Sequence, residues 1–260
     1  MLYLSHLMPD EDMADLLKQY HLGVEAIEFS IGYCLDAWRD KTSAYRERLA
    51  RMDWEGPLSV HGPFLDLNPV SWDSRIAQAS WERFSQAYQA AWELGAGKIV
   101  YHTCFVPMVN FLEGWTERMV EFWNRFMRDK DTEITVCLEN VFDPEYAPFV
   151  EIAQGVDHPA FGLCFDVGHA HCSTVYPARE WLENLHPYIR HLHLHDNHGV
   201  RDEHLGMGQG TLPWETILEF IRENMPHVDA VIENSTREFC ETSLATLEKF
   251  NILDQFRQDW

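Results

Sequence analysis

Residues 191–206 read His191-Leu192-His193-Leu194-His195-Asp196-Asn197-His198-Gly199-Val200-Arg201-Asp202-Glu203-His204-Leu205-Gly206. The leucines alternate with His191, His193 and His195 at the period of a β-strand, which puts the three imidazoles on one face and the leucines on the other. Asp202 and His204 follow at the same two-residue spacing. A polar strand face of this composition is one wall of a cation site.

The same alternation recurs along the chain, in runs at Leu2–Leu7, Val24–Ser30, Leu58–Gly62, Lys98–Thr103, Ile134–Asn140, Phe161–Gly168, Ile189–Asp196 and Asp229–Asn234. Helical periodicity lies between them, as in Ser74–Leu94 with Asp73 as N-cap and in Gly114–Arg128, and Gly95 and Pro226 act as stops. Eight strands alternating with helices predict an α/β fold with a parallel sheet. Strand parity predicts closure. Ser59 and His61 oppose Leu58 and Val60, Cys137 and Glu139 oppose Val136 and Leu138, and Cys164 and Asp166 oppose Leu163 and Phe165. In each case small groups face one way and a polar group ends the strand, the pattern of a (β/α)8 TIM barrel with its functional face at the strand C-termini.

At 260 residues with 46% hydrophobic content the chain can form one such barrel over residues 1–260. No run approaches the roughly 18 apolar residues of a membrane span. A net charge of −22, from 20 basic and 42 acidic residues, disfavours a nucleic-acid partner, because phosphate-backbone binding draws on Lys and Arg. Cys34, Cys104, Cys137, Cys164, Cys172 and Cys240 form no CxxC pair, and the first residues lack a basic leader, which predicts a reduced cytoplasmic setting. The oligomeric state stays open.

With these strand-end residues in place, the chain resembles the xylose isomerase-like TIM-barrel superfamily of sugar isomerases, epimerases and endonuclease-IV-type AP endonucleases. The motifs are Val60-His61-Gly62-Pro63, Val100-Tyr101-His102-Thr103, Leu138-Glu139-Asn140, Phe165-Asp166-Val167-Gly168-His169, His193-Leu194-His195-Asp196-Asn197, Asp202-Glu203-His204 and Ile232-Glu233-Asn234. The resemblance implies that Glu139, Asp166, His193 and Glu233 ligate one divalent cation. It further implies that His61 and His102 share Glu139 for a second, and that His169, Asp202 and His204 hold a third or contact substrate. One to three ions follow, Mn²⁺ or Zn²⁺ foremost, with Co²⁺ or Mg²⁺ also compatible with carboxylate and imidazole donors.

Several neighbours carry weaker expectations. His191, deeper on its face, reads as a core histidine, whereas His195 and Asp196 read as groups that orient ligands. Arg201 is a candidate substrate anchor. Glu28, taken as inward on the second strand, either lines the mouth or forms an ion pair. Trp72, Trp115 and Trp214 open helices, where they pack against the barrel or wall a pocket. The glycine-rich turn at residues 205–210 suits close backbone approach to a substrate. His171, His186 and His198 read as surface residues, and Cys137 and Cys164 as buried thiols.

The expected activity is that of a metal-dependent isomerase or epimerase of a sugar or related α-hydroxy carbonyl compound. A cation would stabilise an enediolate, with Glu139 and Glu233 as the carboxylate base and acid. The alternative is a multinuclear metallohydrolase of phosphate esters, resembling the endonucleases. A third possibility is a metal-dependent sugar-binding protein without turnover.

Overall fold

A computed structural model describes residues 1–256. Eight parallel strands close into a barrel in sequence order: β1 (Leu2–Ser5), β2 (Gly23–Ala26), β3 (Leu58–His61), β4 (Lys98–His102), β5 (Thr135–Glu139), β6 (Phe161–Asp166), β7 (Ile189–Leu194) and β8 (Asp229–Ile232). The barrel is sealed by pairing of Leu2 with Ala230 and Leu4 with Ile232. Around it run α1 (Asp10–Tyr20), α2 (Trp38–Arg51), α3 (Ser74–Leu94), α4 (Trp115–Met127), α5 (Ala147–Gly155), α6 (Val167–Ser173), α7 (Ala178–Leu185), α8 (Trp214–Asn224), α9 (Arg237–Lys249) and α10 (Leu253–Phe256). Among the described residues no helix is long and apolar enough to cross a membrane.

The parity argument decides which side chains go where. Val60, Leu138, Leu163, Phe165, Leu192 and Ile232 join the large apolar layer between strands and helices. Val100, Cys137 and Cys164 form a separate small cluster, as do Met1, Tyr3 and Val231. Most of these inward groups are small because a narrow closed barrel has little room at its axis, and the bulky Tyr3 ring fits beside Gly23, where a Cβ would lie 2.4 Å from it. Helix α3 begins where Asp73 accepts the backbone N–H of Arg75, 2.8 Å away, and ends at Gly95 in the left-handed region at φ 74°.

The strands are shorter than the alternation predicts, and the loss is mostly at their C-terminal ends. There β3, β4, β5 and β6 each end on a polar residue, His61, His102, Glu139 and Asp166. The largest correction concerns β2, which stops at Ala26 and turns through a bond from Ser30 N–H to the Ile27 carbonyl, 3.1 Å. Glu28 therefore does not point into the barrel. It pairs with Lys41 at 2.9 Å, and the inward carboxylate of this strand is the fully buried Glu25.

Candidate metal centre

Three groups of donors meet at the C-terminal mouth of the barrel. In the deepest, Glu139 from β5, Asp166 from β6, His193 from β7 and Glu233 just past β8 each bring one donor atom within 4.8 Å of the others. His193 Nδ1 lies 2.9 Å from Glu139 Oε1, 3.4 Å from Glu233 Oε2 and 3.8 Å from Asp166 Oδ2. Glu139 turns its second oxygen the other way. Oε2 sits 3.2 Å from His102 Nε2 and 3.4 Å from His61 Nε2, completing the second group.

The third group gathers His169 from α6 with His195, Asp202 and His204. Asp202 Oδ2 is 2.8 Å from His204 Nε2 and 3.3 Å from His169 Nε2, and Oδ1 is 3.6 Å from His195 Nδ1. The His195 and His204 rings stack at 4.0 Å. His204 occupies the left-handed region at φ 50°, and Asn234 Nδ2 holds its carbonyl at 3.0 Å. A non-glycine residue in that conformation is retained only where its surroundings determine it.

Three of the imidazoles are oriented in the same way. His61 Nδ1 lies 2.9 Å from the Gly62 carbonyl, His169 Nδ1 3.0 Å from that of Asn140, and His204 Nδ1 2.8 Å from that of Glu233. A carbonyl only accepts, so Nδ1 carries the proton and the Nε2 lone pair faces the neighbouring donors. This is the arrangement a ligating histidine needs. Asn140 braces the centre from below, accepting the Asp166 backbone N–H and donating to the Asp166 carbonyl, both at 2.9 Å.

Electrostatics fits a site built for cations. Burial would raise the Glu139 pKa, but His193 and His102 hold it well below the usual carboxylate range. Glu233 falls to about 2, because His193 and His204 outweigh its burial. Burial opposes charge on His169, His193 and His204 too, yet Asp166, Asp202 and Glu139 carry His169 well above its ordinary value, Cys164 and Glu139 do the same for His193, and Asp202 and Glu233 carry His204 to about 9. His61 and His102 meet Nε2 to Nε2 at 3.2 Å and cannot share two protons. Burial is offset by Glu139 for His61, whose pKa rises, whereas for His102 burial prevails and the pKa falls. Despite this company, the buried Glu139 Oε2, Glu233 Oε2 and His195 Nδ1 have no hydrogen-bond partner. Divalent cations among these donors would satisfy those atoms and displace the protons.

Above the donors opens a cavity of about 440 Å³. His61, His102, His169, Asp202, His204 and Glu233 form its polar floor, and Phe64, Leu65, Phe105, Val106 and Phe142 form an apolar wall. Among the described residues no Lys or Arg lines it.

Every residue expected as a donor is thus in one of the three groups, and His195 joins the third. His191 is buried, with Nε2 3.1 Å from Glu25 Oε2, and Glu25 is the polar neighbour the sequence reading missed. Arg201 is 79% exposed and 3.4 Å from Glu203; it is not in the lining of this cavity but borders the adjoining pocket that His169, Asp202 and Phe142 also line. Trp115 and Trp214 pack in the core, while Trp72 stands exposed under the Arg118 guanidinium. The glycine-rich turn does not line the cavity either. Its Gly208 and Gly210 N–H groups close on Asp196 Oδ2 at 2.8 and 3.0 Å, and a Cβ on Gly210 would fall 2.3 Å from the Asn197 carbonyl.

A family model described as xylose isomerase-like TIM barrel matches residues 16–252. An uncharacterized protein of Methanocaldococcus jannaschii is 32% identical over 188 residues, 65% of this chain and 61% of that protein's length. A probable endonuclease 4 of Mycobacterium leprae is 27% identical over 183 residues, 64% of this chain and 69% of its own. Among solved structures, a D-tagatose 3-epimerase-like protein superposes with a TM-score of 0.77 at 25% identity, covering 98% of each chain.

Proposed function

Since the chain belongs to the xylose isomerase-like TIM-barrel family, we propose that it is a multinuclear metal-dependent hydrolase of a small phosphate ester. The observation that carries this reading is Glu139. One of its oxygens serves the His193 group and the other the His61–His102 pair, as a carboxylate bridging two cations must. The third group, complete with four donors, adds to it. This reverses the order in which the sequence ranks the two chemistries, because the mutual approach of His169, His195, Asp202 and His204 supplies a further cation site that a single-cation isomerase does not require.

The donor set of imidazoles and carboxylates suits Zn²⁺ or Mn²⁺ better than Mg²⁺. Cations held there would supply a hydroxide nucleophile near neutral pH and neutralise charge on the leaving oxygen. The chain's own residues do the rest. Backbone carbonyls hold His61, His169 and His204 in one tautomer, and Glu139 keeps two of the groups in register. Phe64, Phe105 and Phe142 exclude water from one side of the substrate. The cavity of about 440 Å³, with no Lys or Arg in its lining among the described residues, and the net charge of −22 favour a small molecule over a nucleic-acid duplex.

A second reading, the isomerase or epimerase, is favoured by the closeness of Glu139 and Glu233 in the deepest group, where one could remove a proton and the other return it. Elemental analysis of the purified chain separates the two. The hydrolase reading expects three tightly held ions and release of phosphate from a panel of small esters, with Glu139→Gln losing two ions and the turnover together. A single exchangeable ion, with solvent deuterium entering a ketose, overturns it in favour of the isomerase.

A further inference from the structure

His193 is turned the opposite way from the other oriented histidines. Its Nδ1 faces Glu139, Asp166 and Glu233, so Nε2 points down the barrel axis, where Glu25 Oε1 lies 3.2 Å away. The main chain around His193 is engaged in the ladders joining β7 to β6 and β8. A side chain must do there what carbonyls do at the rim.

We propose that Glu25 is a positioning residue of the metal centre: by accepting the Nε2 proton of His193 it fixes the ring with its Nδ1 lone pair toward the deepest cation. The inference rests on the metal-centre reading above. Glu25 is fully buried on β2, and its other oxygen is already bound, by Ser59 Oγ at 3.0 Å and His191 Nε2 at 3.1 Å. Glu25 Oε1 and His193 Nε2 are both buried and stand just short of hydrogen-bond alignment, and neither has another partner. A small turn of the ring joins them. An imidazole ligating through Nδ1 must keep its proton on Nε2, and Glu25 is the acceptor placed to take it.

Nitrogen-15 spectra of the Zn²⁺-loaded native chain read the tautomer directly. Nε2 of His193 protonated and Nδ1 bound to metal is the expected result, and a proton on Nδ1 overturns the proposal. A double-mutant cycle reads the coupling by Co²⁺ titration. Glu25→Gln, which keeps size and shape, should weaken the deepest site about 10–100-fold in the native background and add no further loss to His193→Ala. An equal loss in both backgrounds marks a merely structural role and overturns it, as does no loss in either, or Co²⁺ held by Glu25 and His191 themselves. Should His193→Ala leave Co²⁺ binding unchanged, the metal-centre reading fails instead. If Glu25→Gln does not fold, the tautomer of the native chain decides.

Discussion

His6, just past β1, shows what burial alone does to an imidazole in this barrel. Its Nδ1 meets the Tyr45 hydroxyl at 2.8 Å, and burial, aided by Arg48 and opposed by Asp10, lowers its pKa from 6.5 to about 4. The unfolded chain takes up this proton near pH 6.5 and the folded chain only near pH 4, so between those values the unfolded state binds more protons. The stability His6 lends is therefore complete above pH 6.5 and drains away on acidification toward pH 4, by about 3 kcal/mol. Denaturant midpoints of native chain and His6→Gln across that window should converge toward pH 4. Gly168 is a steric counterpart. A Cβ there would lie 2.1 Å from His195 Cε1, so Gly168→Ala should push the ring off Asp166, cost about 1–3 kcal/mol, and lose the ion of the third group by elemental analysis.

At the scale of elements, Asp166 and Asp196 hold backbone in place as well as standing beside the centre. Asp166 caps α6, its Oδ1 accepting the His169 N–H at 2.6 Å, while Oδ2 faces His195 at 3.1 Å. Asp196 anchors the loop that follows β7. Its oxygens accept N–H groups from Asn197, Gly208, Gly210 and Leu212 and the Trp214 indole. Asp196→Ala should cost about 2–4 kcal/mol and weaken the third cation site by loosening Asp202 and His204, which thermal melts and Zn²⁺ titration would register. Strand identity, inner and outer faces and the polar residues that gather at the mouth were legible because alternation and strand-end polarity depend on local sequence. The phase of β2 was obscured by carboxylates in both registers, at Glu25 and Glu28. Val24 and Ala26, which share the outward parity of the other strands, carried the signal that resolves it. The roles of Asp196 and the glycine turn depend on contacts across the loop that spacing does not encode.

For the molecule as a whole, the centre packs carboxylates against imidazoles whose protons bound cations would replace. Zn²⁺ in excess should raise the melting temperature, because a ligand binding only the folded state stabilises it by about 4 kcal/mol at a thousandfold excess over its dissociation constant. Chelator titration followed by scanning calorimetry checks this, and no shift would contradict the proposed centre. The cavity's two walls differ in kind: the floor comes from the ends of β3, β4 and β8 with α6 and the loop after β7, while the apolar side comes from the segments after β3, β4 and β5. The scaffold for chemistry and the surface for recognition are therefore heritable separately.

Glu139, whose two oxygens belong to different groups, extends that separation to the chemistry itself. Losing His61 and His102 would strip one compartment and leave the deeper four donors standing, with the backbone of every strand undisturbed. Passage between a centre of three compartments and one of two, or back again, is thereby open through a handful of codon changes at the rim.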